Sequence, residues 1–235
     1  MKAVILAGGY GTRISEETHL KPKPMIEVGG KPILWHIMKS YSVYGINDFI
    51  ICSGYLGNII EGYFNKNNFG WKINVVDTGL NSMTGGRLKR IQNFVGNETF
   101  CFTYGDTVND LNISKVIKFH KKIGTLATVT ACIPPEKYGI LQLNGDMAED
   151  FKEKPKEEKN WVNGGYFVLE PGIFDFIDND PETVWEEQPL KNLATGGKLA
   201  AYRHHGFYQP MDTLRDKVKL NELWDSGNRK WKVWN

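Results

Sequence analysis

Four short stretches place charged side chains where a polyanion could be bound and made to react. The first is AGGYGTR, Ala7 to Arg13, where the apolar run Ala3 to Ala7 meets a glycine cluster and then an arginine. Glycines let the backbone approach a ligand closely and turn several N–H groups toward it, which suits phosphate or the polar edge of a base. A dinucleotide fingerprint would need a third glycine where Ile14 stands, and a Walker loop would need Gly-Lys-Ser/Thr, which is absent. The second stretch, HLKPKPM, holds Lys21 and Lys23 between prolines that restrict the backbone and so fix where each ammonium projects. The third, TFCFTYGD, closes an apolar run with Gly105 and Asp106. A carboxylate at the carboxyl end of a central strand is a hard oxygen ligand suited to Mg²⁺ and substrate phosphates. A turn-forming aspartate is the plainer reading, and Asp110 fits the cap of the following helix. The fourth, QPMDTLRDK, offers Asp212, either the N-cap of a helical pattern or a second carboxylate whose value depends on meeting Asp106 in space.

These residues need a frame. Short β-branched runs recur at 3–7, 49–52, 73–76, 99–104, 126–132 and 166–169, several of them apolar on consecutive positions, as strands covered on both faces require. Helical patterns lie between them. KPILWHIMKSYSVYG carries Pro32 for a first turn and Gly45 for a stop, and ISKVIKFHKKIG ends likewise in glycine. This alternation predicts a mostly parallel, three-layer α/β sheet, in which ligands bind beyond the carboxyl ends of the strands. After residue 132, YGILQLNGDMAEDFKEKP reads as strand, turn, strand, so the second half is expected to add antiparallel strands at the sheet's edge.

Composition narrows the class. The chain has 235 residues, 41% hydrophobic and 24% charged, which fits one α/β domain, since a single core grows efficiently up to roughly 250 residues. A net charge of +2 is too small to suggest nucleic acid as a partner. No apolar run approaches the ~20 residues that span a bilayer, and the N-terminus has no signal core, so the expectation is a cytoplasmic protein with no membrane partner. Cys52, Cys101 and Cys132 are widely spaced within apolar runs and read as buried thiols. His204 and His205 alternate across a strand, which favours structural histidines over a metal pair. Trp185, Trp224, Trp231 and Trp234 read as core or subunit contacts.

Taken in order, LAGGYGTR, PKPM, GGKP, YGD, FKEKP, NGGYFVL and PMDTLRD resemble the sugar-1-phosphate nucleotidylyltransferases over essentially the whole chain, and TGGRLKR, NGGYFVL and QPMDTLRDK are similar to the cytidylyl branch. The resemblance implies an α/β fold, a three-layer Rossmann-like mixed sheet of the nucleotide-diphospho-sugar transferase type. A single domain spans 1–235, with 1–132 mainly serving nucleotide and 133–235 mainly serving sugar. It implies CTP and α-D-glucose 1-phosphate as substrates, CDP-glucose and pyrophosphate as products, Mg²⁺ as cofactor, and a homo-oligomer. The alternatives are another base (dTTP or UTP), another sugar phosphate, or a non-catalytic nucleotide-sugar-binding regulator.

By the same resemblance, Arg13, Lys23, Asp106 and Asp212 are catalytic. Asp106 and Asp212 hold the metal, Arg13 the β- and γ-phosphates, Lys23 the α-phosphate, and Lys154 the sugar phosphate. Leu6, Ala7, Gly8, Gly9, Gly11, Thr12, Thr84, Gly85, Gly86, Arg87 and Gly105 join Arg13 and Lys23 around the nucleotide. Tyr138, Gly139, Glu153, Asn163 and Gly164 join Lys154 around the sugar phosphate. The attacking phosphate is largely dianionic near neutral pH, its second pKa being about 6, so no protein base is needed. Unit charges ~4 Å apart interact by roughly 4 kcal/mol at an effective dielectric of ~20, so cations must converge to screen the two polyanions. The sequence departs from the family in the short segment NKNNFGWKIN before the strand that leads to VDTG, and in Thr107, where the family usually has glycine after YGD.

Overall fold

The computed structural model describes residues 1–134, 140–145, 147–152 and 161–235. Its strands are β1 (Ala3–Leu6), β2 (Glu27–Val28), β3 (Lys31–Pro32), β4 (Asp48–Ser53), β5 (Lys72–Asp77), β6 (Phe100–Tyr104), β7 (Thr107–Asn109), β8 (Ala127–Cys132), β9 (Ile140–Asn144), β10 (Met147–Lys152), β11 (Val162–Leu169), β12 (Leu199–His204) and β13 (Tyr208–Pro210). The helices are α1 (Ser15–Thr18), α2 (Ile33–Val43), α3 (Gly57–Lys66), α4 (Thr84–Arg90), α5 (Gln92–Val95), α6 (Ile113–Ile123), α7 (Gln188–Thr195) and α8 (Leu214–Asp225).

Seven strands form the central sheet in the order β12-β8-β11-β6-β1-β4-β5. The consecutive apolar residues of β1 are explained by its two neighbouring cores: Ala3 and Ile5 pack into one, Val4 and Leu6 into the other. The first core takes residues from α2, α3, α6 and α8, and the second takes Leu88 of α4 with Ile91 just after it, Val95 of α5 and Leu193 of α7. Burying each large apolar side chain contributes roughly 1.5–3 kcal/mol, so a strand apolar on both faces is held at the centre.

β1 runs parallel to β4 and β6, which brings the segments after Leu6, Ser53 and Tyr104 to one edge of the sheet. The expectation about the second half needs correction. The antiparallel strand is β11, which lies inside the sheet, antiparallel to both β6 and β8, while the edge strand β12 runs parallel to β8. The predicted hairpin does form, as β9 and β10, but it is a separate two-stranded sheet. Gly124 ends α6 with φ +74°, as its sequence pattern predicts, and Pro32 sits one residue ahead of the helix, at the N-cap of α2.

The tryptophans pack as expected. Trp185 is fully buried in the second core, and Trp231 is buried in the first beside Trp224 and His36. Cys52, Cys101 and Cys132 are free and buried, and burial pushes each thiol up to about 12. Among the described residues, no helix is long and apolar enough to cross a membrane.

Candidate active site

A cleft of about 390 Å³ opens at the carboxyl end of β1 and β6. It is lined by the segment Leu6 to Arg13 apart from Tyr10, by Lys23, Tyr104, Gly105 and Asp106, and by Ser82 to Thr84, Arg87 and Glu186. Gly11 adopts φ +66°, and a Cβ there would lie 2.7 Å from Thr18 Cγ2, so only glycine lets the turn fold back over α1.

Arg13, Lys23 and Asp106, three of the four expected catalytic residues, line the cleft, and the fourth, Asp212, is drawn to them by ion pairs. Lys23 Nζ donates to Asp106 Oδ2 at 2.7 Å and to Asp212 Oδ1 at 2.8 Å, and Arg13 Nη2 lies 3.1 Å from the same Asp212 oxygen. Burial alone would push the Lys23 ammonium toward deprotonation. The charges and hydrogen bonds of Asp106 and Asp212 outweigh it, and its pKa lies above the usual lysine value. Thr107 uses its hydroxyl to donate to Asp106 Oδ1 at 3.1 Å, so the residue that departs from the family's glycine orients the carboxylate.

Asp212 is not a helix cap. Thr213 caps α8 and forms a capping box with Asp216. The Asp216 carboxylate also accepts from the Asp212 backbone N–H at 3.1 Å, which ties the start of α8 to Asp212. Asp110 is not a cap either: Asn112 caps α6, and Asp110 accepts from Phe207 N at 2.7 Å and lies 2.9 Å from His204 Nε2. His205 instead packs edge-on against Trp161, so the two histidines do not pair.

The α4 side of the cleft differs from expectation. Gly85 and Gly86 do not line it; a Cβ on Gly85 would lie 2.8 Å from Thr183 O, and on Gly86 2.3 Å from Pro181 O. Their lack of a side chain lets the segment 181–185 dock onto α4. Arg87 lines the cleft, and its Nη1 and Nη2 donate to four backbone carbonyls, Ser53 O, Gly79 O, Gly8 O and Leu80 O, and to Thr78 Oγ1, so its fork ties the segments around the cleft together. Thr84 Oγ1 donates to Glu186 Oε2 at 2.6 Å, and Tyr104 Oη donates to Glu186 Oε1. Burial above all, and then the Glu186 charge, hold the Tyr104 phenol far above its ordinary pKa, so the hydroxyl remains a donor. Asn163 Nδ2 donates to Tyr104 Oη at 3.2 Å, which links the expected sugar ligand to the cleft. Gly164 packs against Cys132, whose Sγ would lie 2.4 Å from an added Cβ. Tyr138, Gly139, Glu153 and Lys154 lie outside the described residues.

Glu186, Tyr104 and Asp216 were not anticipated from sequence. Glu186 sits in an acidic pair ahead of a proline, which reads as charge bias at a helix start; Tyr104 was signalled only by its position at the end of a strand.

A divalent metal is compatible with the cluster around Lys23. Two carboxylates from distant segments already share one cation, the Lys23 ammonium, so both lie within a single ion's reach. Among the described residues no group of three His, Cys, Asp or Glu gathers to cage a metal. That donor set fits Mg²⁺, which is bound by one or two carboxylates and completes its shell with water and substrate phosphates.

Comparison with known proteins gives a consistent result. The chain is 53% identical to the glucose-1-phosphate cytidylyltransferase of Salmonella typhimurium, with both chains covered in full. That alignment runs over 257 positions against 235 residues here, so the relative carries sequence this chain lacks. A Bacillus subtilis protein named a probable glucose-1-phosphate cytidylyltransferase is 42% identical, again over the full length of both. The fold matches that of a UDP-glucose pyrophosphorylase complexed with UDP-glucose, with a TM-score of 0.76 at 18% identity over 96% of this chain and 98% of the other. The profile of the Nucleotidyl transferase family matches residues 2–216, and the chain belongs to that family.

Proposed function

We propose that the protein transfers the cytidylyl group of CTP to α-D-glucose 1-phosphate, releasing pyrophosphate and giving CDP-glucose. The observation that carries this reading is the convergence of Arg13, Lys23, Asp106 and Asp212 at a glycine-lined cleft. Full-length identity to the named cytidylyltransferases supports the choice of substrates.

The two cations and two carboxylates cancel in formal charge, so the site attracts a triphosphate only with further positive charge. Mg²⁺ held by Asp106 and Asp212 would supply it and would screen the attacking phosphate from the one under attack. Lys23 then turns its ammonium to the α-phosphate, where charge develops in the transition state. Arg13, whose side chain is 70% exposed, is free to swing onto the β- and γ-phosphates that leave as pyrophosphate. The backbone of Ala7, Gly8 and Gly9 addresses base and ribose. On the sugar side, Asn163 offers its amide to a hydroxyl, with Tyr104 and Glu186 fixing its orientation. Lys154 meets the sugar phosphate.

The test pairs each nucleoside triphosphate with a panel of sugar 1-phosphates and Mg²⁺ and measures pyrophosphate release. CTP with glucose 1-phosphate should be the preferred pair. Preference for UTP or dTTP would overturn the cytidylyl assignment alone, and binding of nucleotide sugar without any turnover would favour a regulator.

A further inference from the structure

We propose that Asp110 is a positioning residue for the reaction: with His204 it clasps one end of the β7–β13 ribbon, and that ribbon sets Asp212 beside Asp106 at the other. This rests on the reading that the two carboxylates act together, and it adds what holds them in register.

β7 and β13 pair antiparallel as a two-stranded sheet of their own, apart from the central sheet. The register sets Pro210 against Thr107, Gln209 against Val108 and Tyr208 against Asn109. Just past Pro210, Met211 N donates to Asp106 O at 2.9 Å, and the next residue is Asp212. The ribbon thus brings the two carboxylates to one of its ends, where they share the Lys23 ammonium. A slip of one residue would turn the side chains of β13 to the opposite face and carry Asp212 away from Asp106.

No short turn fixes this register, because Asp110 and Phe207 stand 97 positions apart. Two paired strands are also marginal by themselves. The end opposite Met211 carries the lock. Asp110 N donates to Phe207 O at 3.3 Å, and Phe207 N donates to Asp110 Oδ1 at 2.7 Å. His204 Nε2 lies 2.9 Å from the same carboxylate oxygen and 3.2 Å from Phe207 O. Both of those atoms are acceptors, so Nε2 carries a proton and donates. Hydrogen bonds to a carboxylate are stronger than neutral ones. His204 ends β12, the edge strand of the central sheet, so the clasp ties the ribbon to the main frame as well.

The seat is fitted to the pair. A Cβ on Gly206 would lie 2.2 Å from Asp110 Oδ1 and 2.7 Å from His204 Cε1. Gly206 is not among the glycines of positive φ, so it is the carboxylate and the imidazole that leave no room for a side chain there.

The test reads amide hydrogen exchange at Met211, which is fully buried, against Ile5 of β1 in the same sample, together with steady-state kinetics. Asp110→Ala should speed Met211 exchange at least about tenfold relative to Ile5, the effect of losing hydrogen bonds to a charged group. It should lower kcat roughly 10–100-fold, with the KM for glucose 1-phosphate changing less than twofold. Asp110→Asn, whose amide oxygen can accept both bonds, should recover most of each loss. Gly206→Ala, which displaces the carboxylate without removing it, should act in the same direction and decides the matter if Asp110→Ala does not fold. Unchanged Met211 exchange relative to Ile5 in a folded variant overturns the proposal. So does faster exchange with unchanged kcat, or an Asp110→Asn loss equal to that of Asp110→Ala, which would make the charge and not the clasp the cause. If the wild type prefers UTP or dTTP, the cytidylyl reading fails and kcat is read with that nucleotide. If it turns over no pair, the functional reading fails, and Met211 exchange alone decides whether Asp110 sets the register of the two carboxylates.

Discussion

Lys23 Nζ lies 2.7 Å from Asp106 Oδ2, although 83 positions separate the two residues. The contact exists because the 3-10 turn Lys23–Met25 follows Pro22 and because β6 delivers Asp106 to the same edge as β1. The ammonium would thus compete with a divalent cation for both carboxylates. Lys23→Met should bind Mn²⁺ more tightly than wild type in the absence of nucleotide, as read by titration calorimetry or electron paramagnetic resonance. It should also lower kcat by roughly 10²–10³-fold, the cost of losing one donor aimed at developing charge. Unchanged Mn²⁺ affinity would mean that the ammonium does not screen the carboxylates.

Asp216 anchors Asp212. Its carboxylate accepts from Asp212 N, Thr213 N and Thr213 Oγ1. Thr213→Ala should cost about 1 kcal/mol of stability by loss of the cap, measured by denaturant unfolding. Asp216→Ala should in addition lower kcat, because Asp212 loses its anchor; equal kcat values in the two variants would separate the cap from the site.

Glu186 ties the start of α4, at Thr84, to the tyrosine that accepts from Asn163. Glu186→Ala should raise the KM for glucose 1-phosphate about tenfold, and Tyr104→Phe should do the same, since each cuts one chain of hydrogen bonds. Additive losses in the double variant would show that the two residues act separately.

His36 gives the fold a pH dependence. Burial lowers its pKa from 6.5 to about 4, and the ring bonds Val28 O through Nε2 at 2.8 Å. Because the folded value is depressed, the unfolded chain takes up the proton first. Its contribution to stability is complete above pH 6.5 and is lost as pH falls toward 4. The span corresponds to about 3 kcal/mol. Urea unfolding at pH 7.5 and 4.5 should show a drop that His36→Gln reduces; an equal drop in both proteins would assign it to other groups.

Much of this was legible in the sequence, and the exceptions have identifiable causes. The run AVIL is apolar on consecutive positions because it serves two cores, and that pattern alone marks a central strand. YFVL carries the same signal but nothing in it states direction, so the interior antiparallel position of β11 could not be read. Asp212 and Thr213 are both good cap residues one position apart, and only the backbone angles chose between them. The glycines of TGGR looked like ligand contacts because close approach is all that glycine encodes, and the approaching group is the chain itself at Pro181 and Thr183. The partners of Arg87 could not be read either: they are mostly carbonyls, which leave no trace in residue type.

The most direct test of the central claim is pyrophosphate release from CTP and glucose 1-phosphate with Mg²⁺, compared among wild type, Asp106→Ala and Lys23→Ala. The account predicts rapid release by the wild type and loss of at least a hundredfold in each variant, with circular dichroism showing both folded. Full activity in folded Asp106→Ala, or no release by the wild type with any triphosphate and sugar phosphate, would contradict it.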